Sequence, residues 1–467
     1  MDLKHIHNVY FVGIGGIGMS ALARYFISLK KTVAGYDRSE TDLTRELARE
    51  GMFIHYTDDV KLIPVNFKDR NDTLIVFTPA VPSDQTELVF FKTNGFQIKK
   101  RAEVLGIISR SSDVLAIAGT HGKTTTSTMV SHLLKSSDID CNAFLGGIAI
   151  NYNNNLLLSD KSRFVVVEAD EYDRSFLQLN PKAAIITSMD ADHLDIYGTY
   201  DEYQKAFKQF ASQISPDGFL VVKNGVEIGK LESAIKVYSY SLNEKADFYA
   251  SNIEIKDGVY HYDVVTPQGV YKEIELGFPG LLNVENSIAA IAMVTLLNMD
   301  EASIRKAMKS FRGVKRRFEY HINQKNLVFI DDYGHHPEEL RFTIESVKKM
   351  FPGKKVTGIF QPHLYSRTSD LVNEFAQSLS LLDELILLEI YPAREKPIPG
   401  VTSNMVIQKV SINQKHLCLK KDLVKTIENM PLPEVLITMG AGDIDTFVEP
   451  IKQVLLKKLQ NTAGAHL

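Results

Sequence analysis

Apolar runs of strand length alternate with longer amphipathic stretches along this chain. NVYFVGIG is followed by MSALARYFISL, then by KTVAGYD and DTLIVFT, and each run closes on turn-forming residues. Continuous apolar runs are what strands buried on both faces need, so the pattern predicts a parallel α/β layer. It restarts with DVLAIAG at 113–119, passes into the helical TTTSTMVSHLLKS, and continues through RFVVVEAD at 163–170 and AAIITSM at 183–189. A second α/β unit is therefore predicted to begin near residue 110. Between 246 and 277 the texture changes to short alternating segments, DFYASNIEIKDGVYHYDVV and GVYKEIELGF, which predict a small antiparallel β insertion covering one edge. The helix NVENSIAAIAMVTLLN follows; FRGVKRRFEY at 311–320 then leads into NLVFIDDYGHHP and a third strand-and-helix series, with its boundary near 314.

The length of 467 residues fits three domains at about 100–200 residues each. A net charge of -4 argues against a nucleic-acid surface as the main activity, while leaving room for local basic sites that bind anionic metabolites. Only Cys141 and Cys418 are present, too far apart in sequence to suggest a disulfide framework or a CxxC metal site, so a reducing cytoplasm is expected. The N-terminal apolar run is broken by glycines and no later run reaches bilayer length, so neither export nor membrane insertion is expected.

Two glycine loops carry candidate chemistry. Gly13, Gly15 and Gly18 fit GxGxxG between a predicted strand and helix, with Gly16 inside the loop and Asp37 at the end of the next strand, where a carboxylate can meet a ribose hydroxyl. A nicotinamide or flavin dinucleotide satisfies this motif, and so does another nucleotide diphosphate such as a UDP-sugar, because the helix N-terminus stabilises any pyrophosphate. The second loop is sharper. Gly119, Gly122, Lys123 and Thr124 spell GxxGKT directly after the buried run VLAIA, although Ile117 stands where the longer phosphate loop has its first glycine. Lys123 would reach the β and γ phosphates, Thr124 would place its hydroxyl on Mg2+, and backbone amides would wrap the oxygens. Glu168 and His193 follow two further strands of the same unit, at the ends where open α/β sheets bind ligands, and with Thr124 they form the candidate metal set.

The third part carries DDYGHHPEEL, with Tyr333, His335 and His336 before a proline at the start of a helix, and FQPHLYSRT, which sets Arg367 beyond another strand. Adjacent histidines point different ways, which favours positioning a small polar substrate over sharing a metal. Arginine at 367 could hold a carboxylate or phosphate bidentately, or lie in a solvated loop.

GIGGIGMSALA, AGTHGKTTT, EADEYDRSFL, DADHLD, PGLLNVENSIAA, RRFEY, DDYGHHP, FQPHLYSRT, YPAREKPIPG and MGAGDID occur in this order along nearly the whole chain. Together they closely resemble the Mur ligases of peptidoglycan synthesis. The resemblance implies three domains: a Rossmann-like N-terminal UDP-sugar-binding domain at 1–109, a central P-loop ATPase-type α/β domain with the β insertion at 110–314, and a C-terminal Rossmann-like domain at 315–467 that positions the amino acid. It implies an ATP-dependent ligase that joins the lactyl carboxylate of UDP-N-acetylmuramate to L-alanine through an acyl phosphate and a tetrahedral intermediate, releasing ADP and phosphate. A recycling ligase that attaches a preformed tripeptide is the near alternative, and GIGGIGMS favours the alanine branch. A nicotinamide oxidoreductase or an NTP-driven switch would leave the third part's motifs without a role.

By this resemblance the first loop, with Thr78, would hold the UDP-sugar. ATP would meet Gly119, Thr120, His121, Gly122, Lys123, Thr124, Thr125, Asn283, Asn286 and Arg317. Lys123, His193, His335 and Arg367 would be catalytic; Tyr333, His335, His336 and Arg367 would face the amino acid. The cofactors implied are ATP and two Mg2+ ions, with Mn2+ able to substitute. UDP-N-acetylmuramate, L-alanine and ATP are the expected partners of a monomer or weak homodimer, with no nucleic acid and no membrane. Departures from the family pattern stand at Ser188, where Asn is common, at Leu282, where His is common, and at Tyr172, where serine is usual. Some relatives carbamoylate a lysine near the positions of Lys205 and Lys208, which this branch is not expected to do.

Overall fold

Three separate sheets are built around central parallel strands that are buried on both faces. A computed structural model describes residues 5–231, 235–256, 258–393 and 395–464, so Arg394 of YPAREKPIPG lies outside the described residues. The chain divides into two compact units, one holding Met1–Glu254, His261–Gly277 and Asn283–Arg312, the other Ile255–Tyr260, Phe278–Leu282 and Gly313–Leu467.

The first sheet has the order β3-β2-β1-β4-β5 and is wholly parallel, from β1 (Asn8–Val12), β2 (Thr32–Tyr36), β3 (Phe53–His55), β4 (Thr73–Phe77) and β5 (Gln97–Lys100). Its helices are α1 (Ile17–Ser28), α2 (Asp42–Arg49), α3 (Thr86–Thr93) and α4 (Arg101–Ser109). Strand order reverses between β1 and β4, and Gly13–Gly18 fills that crevice, where α/β sheets place their ligands. Gly13 adopts φ 89°, a left-handed conformation that glycine reaches without a Cβ penalty.

The second sheet of this unit has ten strands, in the order β15-β14-β13-β12-β11-β10-β6-β9-β7-β8. They are β6 (Asp113–Ala118), β7 (Asn142–Ala149), β8 (Asn154–Leu157), β9 (Phe164–Glu168), β10 (Ala183–Ile186), β11 (Phe219–Lys223), β12 (Lys236–Ser241), β13 (Phe248–Lys256), β14 (Val259–Thr266) and β15 (Gly269–Leu276). Helices α5 (Lys123–Lys135), α6 (Leu194–Tyr197), α7 (Tyr200–Ser212), α8 (Leu281–Leu296) and α9 (Glu301–Ser310) accompany it. The residues expected to form a β insertion are the outer strands of this same sheet, β13 joining β12 in parallel. Parallel pairing aligns Ile117 of β6 with Glu168 of β9, and Ala118 with Ile186 of β10, so three adjacent strands end level with one another.

Helix α1 packs on β7 and β8. Arg24 of α1, only 6% exposed, gives Nη1–H to Asn155 Oδ1 at 2.6 Å and pairs with Glu50 at 2.7 Å. The Asn155 amide in turn donates to the Ile17 carbonyl at 2.6 Å, so the helix that carries the first glycine loop is pinned to the second sheet.

The second unit contains the sheet β16-β17-β21-β18-β19-β20, formed by β16 (Glu319–Gln324), β17 (Leu327–Asp332), β18 (Val356–Phe360), β19 (Glu384–Leu387), β20 (Gln414–Leu417) and β21 (Val435–Met439). Only the β16 pairing is antiparallel. Its helices are α10 (Pro337–Met350), α11 (Tyr365–Asp370), α12 (Val372–Leu379), α13 (Ser403–Ile407), α14 (Leu423–Asn429) and α15 (Val448–Gly464).

Candidate active site

In the first unit, the second glycine loop leaves β6 and turns into α5. Gly119 has φ 129° and Gly122 has φ 82°. A Cβ on Gly119 would fall 2.2 Å from Thr187 Oγ1, and one on Gly122 would fall 2.7 Å from Asn286 Oδ1. Gly119 is thus required by space as well as by φ, since the Ser188 and Thr187 backbone nitrogens also lie within 3 Å, and Gly122 is favoured by φ. The Asn286 amide reaches Asn283 Oδ1 at 3.3 Å, so the two asparagines expected near ATP stand together beside the loop. Thr120 Oγ1 donates to the Asp190 carbonyl at 2.8 Å, and the His121 N–H donates to Ser188 Oγ at 2.9 Å. Serine at 188 therefore retains a side-chain acceptor for the loop. Thr124 and Thr125 are buried in the first turn of α5.

Lys123 Nζ donates to the Gly119 carbonyl at 2.6 Å and to Glu171 Oε1 at 2.8 Å. Glu171 is 1% exposed, and its second oxygen has no hydrogen-bond partner among the described residues. Burial pushes the Glu171 carboxyl up to about 7 against the pull of Lys123. Burial also opposes the charge on Lys123, but Glu171, Asp170 and Glu168 outweigh it and hold the ammonium above its ordinary value. The amine is thus kept charged at the mouth of the loop. Glu168 ends β9 in a niche made by Gly146, where a Cβ would fall 2.1 Å from its Oε2. His193 adopts φ 54°, a strained conformation for a residue with a side chain, and its ring meets Tyr172 edge-on at 5.1 Å. Among the described residues, no three His, Cys, Asp or Glu side chains are grouped to hold a metal by themselves.

At the first loop, the Gly15 N–H donates to Asp37 Oδ2 at 2.7 Å, so the carboxylate assigned to a ribose hydroxyl also shapes the loop. Thr78 lies against Gly13, its Cγ2 3.0 Å from where a Cβ would be. A cavity of about 240 Å3 runs from this loop to the second sheet: Gly16, Gly18 and Thr78 line one side, Gly146, Glu168 and Asp170 the other. Arg101, at the start of α4, lines it too and bonds Asp170 at 3.2 Å.

In the second unit, β17, β21 and β18 are adjacent and place their carboxyl-end loops together. Asp332 accepts the N–H groups of Phe318 and Gly334, each at 2.8 Å, and so fixes the turn that presents Tyr333 and His335. Glu339 Oε2 accepts the His335 N–H at 3.0 Å and the His336 N–H at 3.2 Å. The His336 side chain caps α10 by accepting the Glu338 N–H at 3.4 Å, which gives it a structural task. His335 meets Tyr333 at 5.4 Å and His363 at 5.7 Å. Burial lowers its pKa to about 4 despite Glu339, and Arg367 and Arg317 add to the lowering, so the imidazole is neutral at pH 7. Tyr333 is flanked by the guanidinium groups of Arg316 and Arg317, each 5.1 Å from the ring centre, and Arg317 also lies 3.6 Å from Glu339.

Known proteins are similar to this chain along nearly its whole length. "Mur ligase family, catalytic domain" matches residues 8–112, "Mur ligase middle domain" 117–294 and "Mur ligase, glutamate ligase domain" 316–442. A UDP-N-acetylmuramate–L-alanine ligase of Parabacteroides distasonis is 54% identical over 98% of this chain and 100% of its own length. The chain belongs to the Mur ligase family. A Porphyromonas gingivalis protein of the same name is 50% identical to this Mur ligase, across 96% of the chain and 98% of its own. The crystal structure of the UDP-N-acetylmuramate-alanine ligase of Thermotoga maritima superposes with a TM-score of 0.81 at 28% identity, covering 97% of this chain and 99% of that one. A murein peptide ligase of Psychrobacter arcticus shares the fold, with a TM-score of 0.68 at 22% identity over 97% and 99% of the two chains.

Sequence reasoning did not single out Arg101, Gly146, Asp170, Glu171, Asp332 or Glu339. Asp170 and Glu171 stand inside EADEYD and Asp332 inside DDYGHHP, so the motifs contained them without ranking them. Arg101 and Gly146 carry no local signal, because what they face comes from other strands.

Proposed function

We infer that this Mur ligase joins L-alanine to the lactyl carboxylate of UDP-N-acetylmuramate with cleavage of ATP to ADP and phosphate. The observation that carries this reading is the cavity that connects the first glycine loop to the Glu168 end of the second sheet. A ligand with a diphosphate at one end and a carboxylate at the other fits such a cavity, and a dinucleotide reductase has no use for an ATP loop in the same unit. Relatives named for this activity match the chain from end to end.

In this reading the residues at 1–109 hold the UDP-sugar, with its diphosphate on Gly13–Gly18 beside Thr78, and those at 110–314 hold ATP on Gly119–Thr125 beside Asn283 and Asn286. The residues at 315–467 position the amino acid through Tyr333, His335, His336 and Arg367, with Arg317 serving the nucleotide. Lys123 neutralises charge on the transferred phosphoryl group. Neutral His335 can accept a hydrogen bond from the amino acid's amine.

Mg2+ suits the residues present. It takes one or two carboxylates and fills its shell with phosphate oxygens and water. The niche that Gly146 leaves for Glu168, together with Thr124 and His193, supplies such a partial set. Two ions, replaceable by Mn2+, would offset phosphate charge when bound. The buried, unpaired Cys141 and Cys418 support a reducing cytoplasm, and the chain would work there as a monomer or weak homodimer.

ADP release with Mg-ATP and UDP-N-acetylmuramate, in separate reactions with L-alanine, glycine, L-serine or the tripeptide, tests the reading. Release that needs both the acceptor and L-alanine is expected. Release with the tripeptide alone would assign the recycling reaction, and release without acceptor would reject the ligase.

A further inference from the structure

We propose that Arg101 receives the carboxylate of the acceptor sugar nucleotide and holds it, ionised, at the Glu168 end of the cavity. The proposal rests on the acceptor assigned above and adds a residue to its site. The acceptor has two anionic ends. Its diphosphate is served by the glycine loop and the N-terminus of α1. Its carboxylate must enter a space whose lining includes two acids, Glu168 and Asp170. Acids raise the pKa of a third carboxyl brought among them, and a protonated carboxyl is a poor nucleophile toward phosphorus.

Among the residues that line the cavity, Arg101 is the sole cation. The two neighbouring ammonium groups are committed elsewhere: Lys100 pairs with Asp173 at 2.6 Å and Lys123 with Glu171 at 2.8 Å. Arg101 is held in place at both ends of its side chain. Its backbone opens α4, and Nη2 donates to Asp170 at 3.2 Å. Nη1 lies 2.7 Å from the point where a Cβ on Gly18 would sit, so the guanidinium lies close over the first turn of α1. That leaves a planar, permanently charged fork beside the path from diphosphate to Glu168, and such a fork matches a carboxylate bidentately.

The contact could instead serve the diphosphate, since both anions belong to one ligand, and calorimetry with two sugar nucleotides separates them. UDP-N-acetylglucosamine carries the diphosphate without the lactyl carboxylate, and UDP-N-acetylmuramate carries both. Arg101→Met should weaken UDP-N-acetylmuramate about 10- to 100-fold, as expected for a hydrogen-bonded charge, while leaving UDP-N-acetylglucosamine unchanged. Arg101→Lys should recover part of the loss and guards against a folding defect in the Met variant. Equal loss for both ligands would move Arg101 to the diphosphate and overturn the proposal, as would unaltered binding of both. Wild-type protein that binds neither ligand would overturn the acceptor assignment, an outcome distinct from wild-type binding that ignores Arg101.

Discussion

Gly146→Ala should separate catalysis from stability. Gly146 lies in β7 with φ outside the left-handed region, so the backbone accepts alanine. The three atoms nearest the added Cβ all belong to Glu168: Oε2 at 2.1 Å, Cδ at 2.4 Å and Oε1 at 2.5 Å. Since the contact is with the far end of a flexible side chain, the carboxylate must withdraw by about 1 Å while the strand stays where it is, and a displacement of that size at a reacting centre costs about 100-fold in rate. The fold loses little, because Gly→Ala at a compatible site gains about 0.4–1 kcal/mol through the unfolded chain and so offsets the local crowding. Steady-state ADP release across a Mg2+ titration, beside thermal unfolding, should show kcat down about 100-fold with a higher Mg2+ requirement and a Tm within about 2 °C of wild type. Wild-type kcat at wild-type Mg2+ would show that Glu168 is not held in this niche for catalysis.

Lys123→Ala should abolish ADP release yet leave calorimetric affinity for UDP-N-acetylmuramate intact, because the lysine stands at the second loop and the diphosphate is proposed to sit at the first; a parallel loss of sugar binding would refute that division. Asn155→Ala removes a fully buried amide that bonds Arg24, Ile17 and Ser20, and should cost the first unit about 3 kcal/mol in denaturant unfolding. A loss below about 0.5 kcal/mol would mean that α1 is held to the second sheet by packing alone. His132, bonded to Tyr152 and Ser310 and lowered by burial from 6.5 to about 4, contributes stability that is complete above pH 6.5 and lost as pH falls toward 4, by roughly 3 kcal/mol in total. His132→Gln should flatten that decline in thermal unfolding; curves that stay parallel would place the acid sensitivity elsewhere.

Much of the machinery is legible in the chain because its parts are local. A strand, a glycine turn and a helix N-terminus lie within a dozen residues, so Gly13–Gly18 and Gly119–Thr124 announce themselves by spacing, and the buried parallel strands announce themselves as unbroken apolar runs. Ser188 shows where spacing stops being informative: read as a departure, it proves to be the acceptor for the His121 N–H, across 67 positions of chain. The outer strands β13–β15 read as a separate insertion because alternation reports which face is buried and not which neighbour pairs.

The sequence by itself determined the two glycine loops, the alternation of strand and helix, and the family, since each rests on the order of nearby residues. Only the tertiary structure decided that Glu171 holds Lys123, that Gly146 makes room for Glu168, and that Arg101 faces the cavity between the first glycine loop and the Glu168 end of the second sheet. Those relations join residues 22 to 69 positions apart, with Gly146 and Glu168 the nearest pair and Arg101 and Asp170 the farthest. Strand order and register bring them together, and both are set by how whole layers bury their apolar faces, which no short stretch of chain encodes.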